Sequence, residues 1–324
     1  MSDEDGLIYA CRLDGEGGGA EMDWAGVRAW KPGDGLIWVH LDRTVEGVSD
    51  WLNSESGLDP LVADALLAAD TRPRSANFDN GVLVNLRGVN LNPDATPEDM
   101  VSIRVWMEPE RIVSSRRLKL LAIQDLRDAL SQGKGFRSGP GFLIRLAQRL
   151  TDRLQPLEDV IDETLDEFED ALVGGDLDEL GARLTPLRRQ TIALRRHLAP
   201  QRDALTRLHA DSGALFNDRQ RMRLREVADR VYRVVEELDA MRERAAIIQD
   251  ERRTDISENM NRAVYMLSIV ATIMLPLTFV TGLLGMNVGG IPGEKIAWMF
   301  GAVAGGLALV GVSLVLFFRR IRWL

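Results

Sequence analysis

The sequence is poor in the residues from which disulfide frameworks and structural metal sites are built. It contains one cysteine, Cys11, and three histidines, which excludes an internal disulfide framework and a cysteine-built zinc site. Basic residues are also in deficit, because 40 Lys and Arg face 49 Asp and Glu. A net charge of −9 excludes a basic nucleic-acid-binding protein. The N-terminal MSDEDG stretch is acidic rather than apolar, so we expect no cleavable signal peptide and a cytoplasmic body.

Charge is missing altogether from two stretches near the C-terminus. Residues 263–284 and 296–318 form two uncharged apolar runs, and each is longer than the roughly 20 residues that a helix needs to cross a bilayer. The last 63 residues hold five basic side chains and one acidic, a net charge of +4, so the first 261 residues carry −13. We therefore predict two transmembrane helices joined by a short loop, 285–295, and exclude an entirely soluble protein.

The flanking charges predict the orientation of these helices. Basic residues precede the first span and follow the second, whereas the loop has one lysine cancelled by one glutamate; the flanking residues are Arg252, Arg253, Arg262, Arg319, Arg320 and Arg322. Because positive flanks stay on the cytoplasmic side, we expect an inner-membrane protein with both termini in the cytoplasm. Two spans could serve only as a membrane anchor. Two helices of one chain cannot enclose an aqueous path, so any pore would require a ring of several subunits.

A long helix is predicted to run into the first span. Residues 214–275 contain no glycine or proline, and their apolar positions alternate by three and four: Leu224, Val227, Val231, Val234, Leu238, Met241, Ala245 and Ile248. This spacing is typical of a heptad seam. The seam turns polar at Arg252, Asp255 and Asn259, which fits either a hydrated vestibule or a helix that splays near the bilayer.

Two further helices are predicted before this one, at 140–173 and 176–210. The first has an acidic run, made of Glu158, Asp159, Asp162, Glu163, Asp166, Glu167, Glu169 and Asp170. The second is rich in arginine, with Arg188, Arg189, Arg195 and Arg196. Acidic runs on helices are usually solvated faces, and here we expect pairing with the arginine-rich helix. Attraction of cations by the acidic run is the alternative.

The first 135 residues predict an α/β domain. Strand-like runs at 7–13, 36–41, 81–89, 101–107 and 111–114 alternate with helical patterns at 48–53, 60–69 and 118–130. They contain no phosphate-binding glycine loop and no nucleophile–base pattern, so we expect no enzyme. The predicted organisation is an α+β membrane protein with a cytoplasmic α/β domain at 1–135, a helical stalk at 136–261 and a two-helix membrane domain at 262–324.

The end of the first span carries a recognisable motif. Residues 276–287 read PLTFVTGLLGMN, a long charged helix leads into them, and the chain closes with FFRRIRWL. This combination resembles the CorA family of divalent-cation transporters, whose hallmark is Gly-Met-Asn at the outer end of the first membrane helix. The VGGIPG that follows Asn287 is similar to the zinc-transporting ZntB branch of that family rather than to its Mg²⁺ branch.

The resemblance implies a funnel-shaped homopentamer whose stalk helix continues into the pore helix. It places the selectivity mouth at Gly285, Met286 and Asn287, and the pore lining at Asn261, Leu267, Leu275, Thr278 and Gly282. It also implies that the partners are the divalent ion, the lipid bilayer and further copies of the chain, with no nucleic acid and no resident cofactor. The transported ion would be Zn²⁺, with Mg²⁺, Co²⁺ or Ni²⁺ as the alternative.

The chemistry of the spans limits how such an ion could pass. Neither span contains the His or Cys that zinc sites favour, so zinc would pass largely hydrated. Asp250, Asp255 and Glu258 at the inner edge are candidates for attracting cations. Proton coupling, which the zinc branch implies, would have to use these residues or Glu294, since the spans lack acidic, basic and histidine side chains. A membrane-anchored coiled-coil scaffold or sensor is the competing hypothesis of another class.

Overall fold

The fold is described from a computed structural model covering residues 5–69, 72–174, 180–211, 215–285 and 296–320. The chain divides into two compact units, residues 1–249 and 250–324. The strands are β1 Leu7–Leu13, β2 Gly19–Glu21, β3 Ile37–Asp42, β4 Arg74–Phe78, β5 Gly81–Gly88, β6 Val101–Met107 and β7 Arg111–Arg116. Five of these were predicted nearly to the residue, whereas β2 and β4 were not predicted.

The helices are α1 Trp24–Ala29, α2 Glu46–Asp50, α3 Pro60–Leu67, α4 Leu121–Ser131, α5 Gly139–Asp152, α6 Gln155–Gly174, α7 Leu180–Ala210, α8 Asp218–Leu284 and α9 Met299–Arg320. A π-helical turn, Trp51–Glu55, follows α2 directly, and α1 was not predicted. The single helix predicted at 140–173 was wrong. Pro156 has no N–H to donate to the preceding turn, and the chain breaks after α5 and starts again as α6.

In the described part of the first unit, the strands form one mixed sheet in the order β2-β1-β3-β7-β6-β5-β4. The pair β3–β7 is parallel and the other pairs are antiparallel. The helices connect and cover these strands, so the expected α+β class is confirmed. The carboxyl ends of β3 and β7 lie side by side, because Asp42 pairs with Arg116.

The heptad seam of α8 is buried inside its own chain. Leu224, Val227 and Val231 join a core that contains strand residues of the sheet together with residues of α4, α5 and α7. The rest of the seam, from Val234 to Ile248, packs with residues of α6 and α7. The pattern was predicted correctly, but its partner is intramolecular, so the seam is not the interface of a coiled coil between chains. The first core combines residues from both sides of position 135, and the domain boundaries at 135 and 261 stay predictions.

The acidic face of α6 is paired mainly with α8. Arg244 of α8 forms ion pairs with Asp162, Asp166 and Glu169, and Arg183 of α7 pairs with Glu167 at 3.0 Å. The predicted pairing with the arginine-rich helix is therefore confirmed at one position, Arg183, but the four arginines named from the sequence do not pair with the acidic run among the described residues. Two of those arginines bind α8 instead: Arg188 donates to Gln249, and Arg195 donates to Asp239.

One carboxyl group of α6 is buried. Glu158 is 9% exposed, and its Oε1 has no hydrogen-bond partner among the described residues. Burial, together with the negative charges of Glu237 and Asp159 and against the opposing charge of Arg230, raises the pKa of Glu158 from 4.5 to about 7. The folded chain therefore holds this proton more tightly than the unfolded chain does.

Because the folded-state pKa is raised, the contribution of Glu158 to stability is greatest below pH 4.5 and is lost as the pH rises to about 7. We expect Glu158→Gln to stabilise the protein at pH 8 by about 2 kcal/mol and to flatten its pH dependence between pH 5 and 7. Thermal unfolding at several pH values measures this. The matched control is Glu163→Gln, an exposed position of the same helix. An unchanged pH profile in Glu158→Gln would contradict the assignment.

Candidate pore helix

Two helices of the structure are long and apolar enough to cross a membrane, α8 over its C-terminal part and α9. The helix α8 continues through Pro276 and ends at Leu284, so the first predicted span is helical throughout. The helix α9 covers 299–320, close to the second predicted span. The charged part of α8 and the first span therefore belong to one helix, as the sequence predicted.

Within the second unit, α8 uses one face to contact α9. Ile269 is buried, Ile273 and Leu277 are half-buried, and a Cβ added at Gly311 would lie 3.8 Å from Leu277 Cδ1. The spacing of four residues places all three apolar side chains on one side of α8. An apolar groove lined by Ile273, Leu277, Leu307, Ala308, Gly311, Val312, Val315 and Leu316 runs between the two helices.

The residues predicted to line a pore lie on the other side of α8. Leu267 is 70% exposed and Leu275 is 68% exposed, and Asn261, Thr278 and Gly282 are exposed as well. Each residue advances an α-helix by about 100°, so the mean direction of these five is roughly opposite to that of the α9-contacting face. These five residues do not form a site within a single chain, but all of them are exposed.

Three hydroxyl groups of this span are held by the helix itself. Ser268 Oγ donates to Val264 O at 2.8 Å, Thr272 Oγ1 donates to Ser268 O at 2.7 Å, and Thr281 Oγ1 donates to Leu277 O at 3.0 Å. Donation to the preceding turn satisfies each hydroxyl proton without a partner helix. The oxygens keep lone pairs that can accept hydrogen bonds from water, which suits a hydrated surface.

Of the predicted selectivity mouth, only Gly285 lies within the described residues. Its N–H donates to Thr281 O at 2.9 Å, and an added Cβ would lie 3.1 Å from that same carbonyl oxygen. A glycine at this position therefore lets the backbone stay tight as the helix ends. Met286 and Asn287 lie outside the described residues, and their role stays a prediction.

The three acidic residues proposed at the inner edge do not share one face of α8. At about 100° per residue, Asp255 lies about 140° around the helix from Asp250, and Glu258 lies between them. Asp250 is also 3.7 Å from Arg253. The described residues contain no cluster of three His, Cys, Asp or Glu that could hold a metal ion. Any attraction of cations here would be diffuse rather than a formed site.

Sequence reasoning missed the α9-contacting face of α8. Ile269, Ile273 and Leu277 follow a four-residue period, but every other position nearby is also uncharged and mostly apolar. Periodicity cannot identify a face when all faces are apolar. The small residues Ala308 and Gly311, opposite this face, were the available signal, because small side chains mark close helix contacts in membranes.

Comparison with known proteins gives a consistent result over the full chain. The family described as CorA-like Mg²⁺ transporter protein matches residues 33–320. The divalent cation transporter CmaX of Pseudomonas aeruginosa is 40% identical over 99% of this chain and 98% of its own. The zinc transport protein ZntB of Pectobacterium carotovorum is 35% identical over 98% and 96%. The solved structure of full-length CmaX superposes with a TM-score of 0.85 at 39% identity and covers 100% of both chains. The chain belongs to the CorA family.

Proposed function

We propose that this protein transports divalent metal cations across a membrane through a homo-oligomeric pore lined by the C-terminal part of α8. The observation that carries the proposal is the uncharged face of α8 with Leu267 and Leu275, which is exposed and lies opposite the face that contacts α9. In a member of the CorA family, the simplest partner for this face is the same face of further subunits. Their joint surface encloses the path that one chain cannot form.

Zinc is the cargo we favour. One relative is named a zinc transport protein and is similar over almost the whole chain. Neither span offers His or Cys, so zinc would pass with much of its water shell, and selectivity would come from pore width and field. Mg²⁺, Co²⁺ or Ni²⁺ through the same pore is the second candidate, which the name of the matching family favours.

Within this pore, the residues have distinct roles. A ring of Asn287 amides would hydrogen-bond the water shell of the ion without forcing its dehydration. Gly285 and Met286 would shape the mouth around that ring. Asn261 would stand at the inner end, and Leu267, Leu275, Thr278 and Gly282 would line the path between the two ends.

We propose an inner-membrane homopentamer with both termini in the cytoplasm and residues 285–295 outside. The arginines that flank the two spans support this orientation. Each subunit then presents its −13 portion to the cytoplasm, where the combined negative charge would raise the local concentration of cations. Native mass spectrometry of the purified protein would count the subunits.

A scaffold that is merely anchored by these helices is less well supported. That hypothesis rested on the heptad seam of α8 as an interface between chains, but Leu238 and Ile248 of this seam are almost fully buried within their own chain. The seam is therefore occupied already. An exposed, uncharged face in a membrane helix suits lipid as well, so the pore is favoured over a tether because the chain that carries this face belongs to the CorA family of transporters.

Metal uptake into proteoliposomes tests the proposal. We expect the purified protein to carry Zn²⁺ inward down its concentration gradient faster than Mg²⁺, both measured with encapsulated indicators against protein-free vesicles. Two imposed pH gradients test proton coupling, since zinc flux that ignores the gradient would exclude it. Absence of flux for every divalent ion would contradict transport and leave the tethered scaffold as the better account.

A further inference from the structure

A strongly basic pocket lies in the first unit. Its volume is about 630 Å³, within the range of typical ligand pockets. Five arginines line it, Arg43, Arg72, Arg87, Arg117 and Arg196, and Asp99 is its one carboxylate among the described residues. Such an excess of one charge in a single pocket is what recognition of an anion requires.

The sheet explains how two of these arginines come together. Arg43 directly follows β3 and Arg117 directly follows β7, the parallel pair whose last residues are partners in register. The Arg43 N–H also donates to Arg116 O at 3.1 Å, which extends the pairing by one residue. Ligands of α/β sheets commonly bind at the carboxyl ends of parallel strands, and this is where the pocket opens.

In the described part of the chain, two of the arginines in the pocket are held by hydrogen bonds to the protein, and two are not. Arg43 donates to Leu67 O and Ala69 O, both at 3.2 Å, and Arg87 donates to Met100 O at 3.0 Å, so these two guanidinium groups are held in place. Arg117 and Arg196 are exposed, and within the described ranges neither donates a hydrogen bond to the protein or pairs with a carboxylate. Their planar donor groups therefore remain available to a ligand.

The surroundings of Arg43, one of the two held arginines, favour the binding of an anion. Burial lowers the pKa of Arg43, the positive charge of Arg117 lowers it further, and the negative charge of Asp42 offsets these effects only in part. The buried Nε of Arg43 has no hydrogen-bond partner among the described residues. An anion between Arg43 and Arg117 would relieve the repulsion of these like charges.

We propose that this pocket binds a polyphosphate chain, either free or as part of a nucleotide. Arginine binds phosphate oxygens through two parallel hydrogen bonds, and several arginines around one pocket match several linked phosphates better than one small ion. The pocket is lined by β5, β6, α7 and the residues that follow β3 and β7 in the first unit, and the proposal does not depend on the pore or its cargo.

Isothermal titration of the detergent-solubilised full-length protein with inorganic tripolyphosphate in metal-free buffer tests the site. We expect saturable binding that weakens as NaCl is raised from 50 to 500 mM. We expect Arg196→Gln to weaken it several-fold and Arg117→Gln with Arg196→Gln to weaken it at least ~10-fold. Both positions are exposed, so the variants should melt at the temperature of the unmodified protein.

The matched control is Arg233→Gln, an exposed arginine of α8 outside the pocket, which should bind tripolyphosphate as the unmodified protein does. Titration with ATP distinguishes the two sources: tighter binding of ATP identifies a nucleotide, and equal binding identifies the phosphate chain alone. No binding at 1 mM tripolyphosphate in low salt, or equal binding by the double variant and the unmodified protein, would overturn the proposal.

Discussion

Tryptophan in place of Gly282 is expected to abolish divalent-cation flux in proteoliposomes. An added Cβ at this glycine has no atom within 4 Å in the described chain, so α8 itself can accommodate the new side chain. Gly282 lies on the exposed side of α8, away from the contact that Leu277 makes with α9. In a ring of subunits, each copy would add one indole to the same level of the pore. Such an apolar plug closes a narrow channel by excluding water, and we expect a loss on the order of 100-fold.

The control for this variant is Leu309→Trp in α9. Leu309 is 69% exposed and lies outside the groove between the two helices. The variant Leu309→Trp adds the same indole to the membrane segment without facing the proposed path, so flux should change little. Both variants should keep the oligomer size of the unmodified protein. Equal flux through the two variants would show that this side of α8 does not line the path.

A graded series sharpens the test. Gly282→Ala should retain most of the flux, Gly282→Leu should reduce it, and the tryptophan should remove it, since the blocked cross-section grows with the side chain. A helix face buried between subunits would respond differently, because even alanine would then disturb packing at a close contact. The order of the three variants therefore separates a pore position from an interface position.

The spans could be predicted from sequence because they depend on a single local property. A stretch of 20 or more residues without charge needs no tertiary information to be identified. The exposed and contacting faces within the first span could not be predicted in this way. Ile269 and Leu275 are equally apolar, and only the position of α9 makes one buried and the other exposed.

The seam of α8 shows a different limit. Its spacing, from Leu224 to Ile248, determines that one side of the helix must be buried, and all eight positions are buried in the structure. The same spacing fits a partner helix of another chain and the layers of the same chain. Sequence periodicity shows which side of the helix is buried but not which elements cover it. Only the structure identifies those elements.

The basic pocket could not be predicted from the sequence. Its arginines stand between positions 43 and 196, far apart in sequence and on different elements. No two of them form a motif, and arginine on a surface helix or after a strand is common. Only the parallel pairing of β3 with β7, which joins distant segments, places Arg43 beside Arg117. The burial of Glu158 was hidden for a similar reason, since it begins an acidic run that is otherwise solvated.

Replacement of Trp38 by alanine should cause the largest loss of stability in the first unit. Trp38 is fully buried in β3, and its ring centroid lies 5.0 Å from that of Phe142, 5.2 Å from Tyr9 and 5.7 Å from Phe136. Its Nε1 donates to Ser114 Oγ at 2.9 Å. Removal of a buried tryptophan typically costs about 3–5 kcal/mol, which corresponds to a fall in melting temperature of roughly 10 °C.

Trp38→Phe separates packing from hydrogen bonding in this cluster. Phenylalanine keeps most of the aromatic contact but loses the indole donor, so among the described residues Ser114 Oγ would retain its contacts with His40 Nδ1 at 2.8 Å and Val39 O at 3.4 Å. Loss of one hydrogen bond at a buried site costs about 1–2 kcal/mol, well below the cost of the alanine variant. Far-UV circular dichroism of the full chain in detergent measures both, because it does not depend on tryptophan fluorescence. If the two variants lost equal stability, the hydrogen bond to Ser114, and not the aromatic packing, would be the main contribution of Trp38.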